Sequence, residues 1–141
     1  MLLCLITAAG HSQTLPVSKP AIFSSFPNTI SCSVSEFSNA FTAAEGQRVI
    51  LTFSDNFKFA GTVISNIVKY SNLQSLTIRS EESDKTIFHL SRQVNADNTV
   101  SYVGRIMNST ASDGYEIRRD LTGNYKFEKV NAERVLQECN L

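Results

Sequence analysis

Five ionisable residues near the end of the chain have the types and the spacing that acid–base chemistry could use. They are Asp113, Glu116, Arg118, Arg119 and Asp120. The runs "YEIRR" and "YKFEKV" alternate apolar and charged residues, so Glu116 and Arg118 share one strand face with Lys126 and Glu128. Opposite charges on such a face pair across strands and stabilise a sheet by about a few tenths of a kcal/mol each. The pattern therefore predicts the solvated face of a β-sheet and no catalytic site.

Other combinations of reactive residues are sparse in this sequence. His11 and His89 are the two histidines, and neither belongs to a His-Glu-x-x-His motif or lies beside a nucleophile signature. No glycine-rich phosphate loop occurs, and "EESDK" at 81–85 lacks the repeated spacing of a calcium-binding EF-hand loop. "NST" at 108–110 matches the acceptor sequence for N-glycosylation, which would matter in a secreted eukaryotic product. We therefore predict a protein that is not an enzyme and that has no metal or other cofactor.

The composition predicts a single folded domain without a preference for nucleic acid. The chain has 141 residues, of which 42% are hydrophobic, and this is enough to build one core. Its 13 basic residues balance its 13 acidic residues. Without an excess of positive charge, neither nucleic acid nor an anionic membrane is a predicted partner.

The N-terminal stretch "MLLCLITAAGHSQ" is a short apolar run followed by small residues, and it is too short to cross a bilayer as a helix. It predicts a secretory signal peptide over residues 1–12, with cleavage after Ala9, Gly10 or Ser12. No Lys or Arg precedes the apolar run, which departs from the usual signal pattern. The alternative is a buried N-terminal strand or helix. A signal predicts a secreted, periplasmic or cell-surface protein that does not insert into a membrane after the signal is removed.

The cysteines fit export. Removal of the signal also removes Cys4 and leaves the even pair Cys32 and Cys139. An oxidising compartment permits a disulfide between them, which would close a loop of roughly 100 residues and stabilise the fold by at most about 4–5 kcal/mol. The alternative is two buried thiols, each of which fills space beside an amphipathic helix.

Residues 13–31 contain all three prolines and show no hydrophobic period, which predicts an extended arm. The apolar residues of this arm, which are the candidate partner-binding residues, are Leu15, Val17, Ile22, Phe23 and Phe26. Either they pack along the surface of the domain or they insert into a groove of a partner. Because the prolines limit its backbone freedom, the arm would lose less entropy on docking into a groove than a Gly-Ser tail would.

Residues 32–141 have the pattern of one β-rich domain. Ser33 and Glu36 form a capping-box pattern before apolar residues at helical spacing, which predicts a helix over 34–44. Seven alternating runs bounded by turn residues follow, and they predict antiparallel strands because no crossover helix separates them. "NAERVLQEC" predicts a second helix, capped by Asn131. The fold class is therefore mainly β: a small antiparallel β-barrel or curved sheet of about seven strands, with a short helix before and after it.

The strand period also predicts which side chains face inward. Beyond the four apolar residues of the last two strands, Tyr115, Ile117, Tyr125 and Phe127, the predicted inward residues are Phe57, Phe59, Gly61, Val63, Leu76, Ile78, Phe88, Leu90, Val100, Tyr102, Gly104 and Ile106. Gly61 predicts a bend or a bulge, as glycines inside strands often do.

The order of these parts resembles that of small exported bacterial β-domains. The resemblance is carried by the signal, the proline-bearing arm, the helix with Phe37 and Phe41, and the segments "GTVIS", "LQSLTIRS", "VSYVGRIM" and "SDGYEI". Over roughly residues 33–139 the chain is similar to propeptide-like segments of secreted bacterial metallopeptidases and to the small β-barrel peptidase inhibitors called potempins. The resemblance implies a non-enzymatic domain whose partner is a secreted peptidase. No reactive-site motif matches, so it assigns no inhibitory residue.

Two functional classes remain open from the sequence. The first is an exported, non-enzymatic module that binds a protein, most specifically a peptidase, through its arm or a sheet edge. The second is a carrier that holds a small ligand inside the barrel. A lumen crowded with Phe and Leu favours the protein-binding module, and an empty apolar cavity favours the carrier.

Overall fold

The computed structural model describes residues 17–138, which form eight β-strands and two short helices. In chain order these are β1 (Thr29–Cys32), α1 (Val34–Ala40), β2 (Arg48–Ser54), β3 (Phe57–Tyr70), β4 (Leu73–Ser80), β5 (Thr86–Val94), β6 (Val100–Asn108), β7 (Asp113–Arg119), β8 (Tyr125–Asn131) and α2 (Ala132–Glu138).

All eight strands belong to one antiparallel sheet with the order β1-β8-β7-β6-β5-β4-β3-β2. The two edge strands β1 and β2 lie next to each other, so the sheet curves into a nearly closed barrel. The predicted fold class, mainly β with a barrel-like sheet and two short helices, is confirmed. The additional strand is β1, which precedes the first helix in the chain. Residues Thr29–Cys32 form a strand because they pair with β8. The predicted boundary between arm and domain at residues 31 and 32 therefore falls inside this strand.

The interior of the barrel is filled by the inward residues that the strand period predicts. Phe37, on α1, is 0% exposed and lies at the centre of a cluster of aromatic rings. Its ring centroid lies 5.4 Å from that of Tyr102, 5.8 Å from those of Phe53 and Tyr125, and 6.2 Å from that of Phe127. Such edge-to-face and tilted aromatic pairs add stability beyond the area that they bury. The first helix is thus a central part of the core.

Helix α1 ends at Ala40, four residues before the predicted end. The carbonyl groups of Phe41 and Ala43 both accept hydrogen bonds from Asn66 Nδ2, at 2.9 and 2.8 Å. Asn66 lies on β3, so these two hydrogen bonds hold the segment after Ala40 against the sheet. The helix does not continue into this segment.

The capping box predicted at the start of α1 is wrong. Ser33 is the N-cap residue, but its hydroxyl makes no capping hydrogen bond, and it lies 2.6 Å from the hydroxyl of Ser35. The carboxylate of Glu36 accepts a hydrogen bond from the backbone amide of Thr52 at 3.1 Å. Glu36 therefore satisfies a donor on the edge strand β2, which is a tertiary contact that local sequence spacing does not reveal. At α2, in contrast, Asn131 Oδ1 accepts hydrogen bonds from two backbone amides of the first turn, as predicted.

Gly61 lies at a close approach between two strands. A Cβ atom at this position would lie 2.7 Å from Ile78 Cγ2 and would meet the carbonyl oxygen of Arg79 on β4. The bulge in β3 occurs just beyond it, between Val63 and Ser65. The glycine predicted to mark a bulge is thus required by the contact with β4.

Candidate functional site

The arm residues predicted to bind a partner occupy two different environments. Val17 is 93% exposed and Ile22 is 41% exposed, whereas Phe23 is only 8% exposed and Phe26 is half-buried. The ring of Phe23 packs against Tyr115 with 5.5 Å between centroids, and that of Phe26 packs against Phe57 at 5.3 Å. Leu15 lies outside the described residues. Of the two alternatives for the arm, Phe23 and Phe26 adopt the one in which the arm packs on its own domain.

Three side chains of β7 and β8 hold the backbone of this arm. Asp113 Oδ2 accepts a hydrogen bond from the amide of Phe23 at 3.0 Å. The hydroxyl of Tyr115 donates to the carbonyl of Pro27 at 2.6 Å, and the ammonium group of Lys129 donates to the carbonyl of Phe26 at 2.7 Å. These contacts connect residues about 90 or more positions apart, so residues 23–27 act as a strap across one end of the barrel.

Asp113 does not share the solvated face of the charge cluster. Its position has the inward parity of Tyr115 and Ile117, and it is 7% exposed. Its second oxygen, Oδ1, has no hydrogen-bond partner in the described part of the chain. Asp113 also borders an open surface depression of about 550 Å³ between β1, β7 and β8. The two-residue period of the strand predicts this burial, because Asp113 is two residues before the inward-facing Tyr115.

The outward charges of β7 and β8 pair with one another. Arg118 contacts Glu116 at 2.6 Å and Glu128 at 3.8 Å, and Lys126 contacts Glu128 at 2.8 Å. On the neighbouring strand β6, Arg105 contacts Glu116 at 3.4 Å. The structure places these charged side chains on the outer face of the sheet, as the alternation predicts.

Asp120 organises the turn between β7 and β8. Its Oδ1 accepts hydrogen bonds from the amides of Thr122 and Asn124, both at 2.9 Å. The hydroxyl of Thr122 also donates to this oxygen at 2.7 Å, and these hydrogen bonds lower the pKa of Asp120. Arg119 lies with its guanidinium 5.9 Å from the ring centroid of Tyr125. Both residues therefore have structural contacts within their own hairpin.

His89 lies on the outer face of β5, and its Nδ1 is 3.2 Å from the hydroxyl of Thr77. Partial burial lowers the pKa of this imidazole. Among the side chains of residues 17–135, no three of His, Cys, Asp or Glu come close enough together to hold a metal ion. Within "EESDK", Glu81 pairs with Arg48.

Asn108, the acceptor position of the "NST" sequence, is 6% exposed. Its Nδ2 donates to the hydroxyl of Thr86 at 2.8 Å, and its Oδ1 accepts hydrogen bonds from the amide and the hydroxyl of Thr110. The folded chain thus uses this side chain to connect β5 with β6, and its amide nitrogen is not presented to solvent.

Cys32 is partly buried at the end of β1. Its Sγ lies 3.5 Å from the carbonyl oxygen of Ile30, and burial raises the pKa of the Cys32 thiol to about 12. Cys139, the other member of the predicted disulfide, lies outside the described residues, so this pairing stays a prediction.

A small cleft lies where the β3–β4 hairpin meets the end of β5. The amide of Val94 donates to the carbonyl of Asn72 at 2.9 Å, which joins the end of β5 to the β3–β4 turn. The cleft, hereafter the apical cleft, has a volume of about 100 Å³ and is lined by Val68, Tyr70, Ser71, Asn72, Leu73, Gln74, Arg92 and Val94.

None of the residues that line the apical cleft is among the candidate site residues predicted from the sequence. Val68 and Tyr70 are 67% and 69% exposed because β3 continues beyond the part of the sheet that covers the core. The adjacent pair Ile67 and Val68 is the feature of the sequence that points to this region. Successive residues of a strand face opposite sides of the sheet, so this pair puts an apolar side chain on each face and departs from the usual alternation of apolar and polar residues.

Comparisons with protein-family models, with curated proteins and with solved structures found no match for this chain. Neither helix in residues 17–138 has the length and apolar character needed to cross a membrane. The fold therefore defines the class of molecule, a small antiparallel barrel-like domain, and the side chains described above are the basis for a functional proposal.

Proposed function

We propose that this chain is an exported, non-enzymatic module that binds another protein, with a secreted peptidase as the partner class to test first. The observation that carries the proposal is the filled interior of the barrel. In the part of the chain that the structure describes, nine large side chains are less than 2% exposed, among them Phe37, Phe88, Tyr115 and Phe127. A drug-sized ligand needs roughly 300–1,000 Å³ of open pocket. A lumen filled by aromatic and aliphatic side chains supports recognition on the outside of the barrel.

The surface offers apolar side chains for such recognition. Ile67, Val68 and Tyr70, near the end of β3, are between 52% and 69% exposed, and Val103 on β6 is 65% exposed. In the strand register, Ser75 and Ser91 lie between Ile67 on β3 and Val103 on β6. The two apolar side chains therefore stand on either side of a part of the outer face that carries only small serine side chains. Exposed apolar groups gathered in one region of a small domain are typical of protein-binding surfaces.

The packed arm changes which of its residues are available to a partner. Phe23 and Phe26 are engaged with the core, so a partner that meets the folded chain would contact Val17 and Ile22 on the arm. The resemblance to propeptide-like segments and potempins supports a peptidase as partner. Export remains part of the proposal because a secreted peptidase would meet the protein outside the cytoplasm.

The test is a titration of the whole chain against a panel of purified secreted metallopeptidases and serine peptidases. Complex formation is measured by size-exclusion chromatography with light scattering, and peptidase activity is measured in parallel. The Val68→Ser/Tyr70→Ser variant should weaken a complex at least about tenfold, which is about 1.4 kcal/mol. Leu121→Ser is the matched control, because Leu121 is fully exposed on the β7–β8 turn and distant from this region in the sheet order.

The carrier alternative is tested on the same samples with a lipophilic fluorescent dye. We expect no saturable dye binding, because the lumen is occupied by side chains. Stoichiometric dye binding with no protein complex in the panel would contradict the protein-binding proposal and favour the carrier.

A further inference from the structure

The apical cleft contains an arginine whose hydrogen-bonding capacity is incompletely used. Arg92 Nε is buried and has no hydrogen-bond partner in the described residues. None of the ion pairs found among the described side chains, those of residues 17–135, includes Arg92. Leaving a buried donor of a charged group without a partner destabilises the folded chain. Because Nε itself is closed to solvent, a ligand in the cleft would accept hydrogen bonds from the other N–H groups of this guanidinium.

The strands around Arg92 carry positive charge and no negative charge. Residues 56–80 and 85–96, which include all of β3, β4 and β5, contain no Asp or Glu. Of the Lys and Arg residues in these two ranges, Lys69 and Arg92 lie toward the apical cleft, whereas Lys58, Arg79 and Lys85 lie toward the opposite end of the strands. The lining of the apical cleft therefore contains the positive charge of Arg92 and no acidic side chain, and Asp97, on the turn after β5, accepts hydrogen bonds from Thr99. A partner group that complements this lining is an anion.

The floor of the apical cleft is held in place by a hydrogen-bond chain. Gln74 Nε2 donates to Asn66 Oδ1 at 2.7 Å, and Asn66 Nδ2 in turn holds the two carbonyls after α1. The cleft is therefore anchored to the core and need not reorganise when a ligand arrives. Preorganisation of this kind reduces the entropy lost on binding.

We propose that the apical cleft receives an acidic side chain of a partner protein. Arg92 binds the carboxylate of an Asp or Glu, and a neighbouring nonpolar side chain of the partner packs on Val68 and Tyr70. The volume of about 100 Å³ accommodates one side chain and is below the range for small-molecule sites. This inference rests on the proposed protein-binding function. It adds which side chains of the partner are recognised, namely an Asp or Glu next to a nonpolar residue.

The probe is a displayed library of short random peptides, selected against the purified whole chain. Selected sequences should contain an Asp or Glu next to a large nonpolar residue. For the best binder, a synthetic peptide and its matched amide variant, Glu→Gln or Asp→Asn, are titrated by fluorescence anisotropy. The acidic peptide should bind at least tenfold more tightly, and its affinity should fall as salt is raised. In a nitrogen-15 NMR titration, the Nε–H resonance of Arg92 should shift with the acidic peptide and not with the amide.

Variants of the protein test the same contact. Arg92→Gln should weaken the acidic peptide at least tenfold, and Arg79→Gln, which removes an equal charge from the neighbouring strand β4, should leave affinity within about twofold. Tyr70→Ser provides a second variant that cannot prevent folding, because Tyr70 is 69% exposed, and it should weaken binding several-fold.

The outcomes separate this inference from the function on which it rests. Selected peptides that bind Arg92→Gln as well as the wild type, without preference for an acid, would overturn the apical cleft and leave protein binding intact. Failure to select any peptide, together with an empty peptidase panel, would overturn both.

Discussion

Tyr115 connects the core of the barrel with the arm at the level of a single hydroxyl group. Its ring is 0% exposed, and its hydroxyl donates to the carbonyl of Pro27. Burial, assisted by the carboxylate of Asp113, raises the pKa of Tyr115 to about 12. In the unfolded chain a tyrosine ionises near pH 10. The neutral hydroxyl therefore stabilises the fold fully below pH 10, and this contribution is lost as the pH rises from about 10 to 12.

Tyr115→Phe should lower the free energy of unfolding at pH 7 by about 1 kcal/mol, because it removes one buried hydrogen bond. It should also reduce the loss of stability between pH 10 and 12. Urea unfolding followed by circular dichroism at a series of pH values measures both effects. Tyr70→Phe is the control for removal of a tyrosine hydroxyl and should leave the stability at pH 7 unchanged, since Tyr70 is largely exposed. An unchanged alkaline slope in Tyr115→Phe would show that this hydroxyl does not titrate as described.

For single residues, the sequence predicts which face of the sheet a strand side chain occupies. It does not predict which distant residue that side chain contacts. Tyr115 and Phe127 are buried as the two-residue period predicts. The same period explains the burial of Asp113, because it is two residues before Tyr115 on β7 and so faces inward. Glu36 is different, because its contact with Thr52 depends on how the helix lies against β2. Arg92 is also inward by parity, but only the extension of β3 beyond the core shows that its surroundings remain open.

At the scale of elements, β7 and β8 separate a stabilising face from a solvated one. The inward side chain of Ile117 is 6% exposed, whereas Glu116 and Arg118 form ion pairs on the outer face. Replacing both charges, as Glu116→Gln/Arg118→Gln, should change the free energy of unfolding by about 1 kcal/mol or less, since exposed pairs contribute little. Ile117→Asp should prevent folding, because it buries an unpaired charge. Thermal melts of the two proteins measure the contrast, and similar midpoints would mean that the two faces are reversed.

The elements themselves differ in how far local sequence determines them. The strands from β2 to β8 follow from alternation and turn residues, because each has one face in the core and the period is therefore strong. β1 is only four residues long and follows proline-rich sequence, so its pairing with β8 has no local signature. The early end of α1 likewise comes from Asn66, a residue of another element.

At the scale of the whole molecule, the arm is part of what closes the barrel. Phe23 and Phe26 place their rings against Tyr115 and Phe57. The backbone of this segment donates a hydrogen bond to Asp113 and accepts hydrogen bonds from Tyr115 and Lys129. Sequence composition describes this segment as an extended arm because prolines suppress any period. Composition contains no information on whether such an arm packs on its own domain or on a partner. The decision depends on complementary groups that lie about 90 or more residues away in the chain.

Deletion of residues 1–28 should therefore destabilise the domain severely. Removing one buried Phe side chain typically costs about 3–5 kcal/mol, and a domain of this size is stable by only about 5–15 kcal/mol in total. Loss of Phe23, the half-buried Phe26 and the strap hydrogen bonds together should leave a protein that is unfolded or that unfolds at much lower urea concentration. Deletion of residues 1–19 is the matched control, because it keeps the strap and also the hydrogen bond that the carbonyl of Pro20 accepts from the amide of Ser112. Urea unfolding monitored by circular dichroism compares the two truncated proteins with the whole chain. Equal unfolding midpoints for the two truncations would show that the strap does not stabilise the barrel, and residues 20–28 would then be available to a partner without cost to the fold.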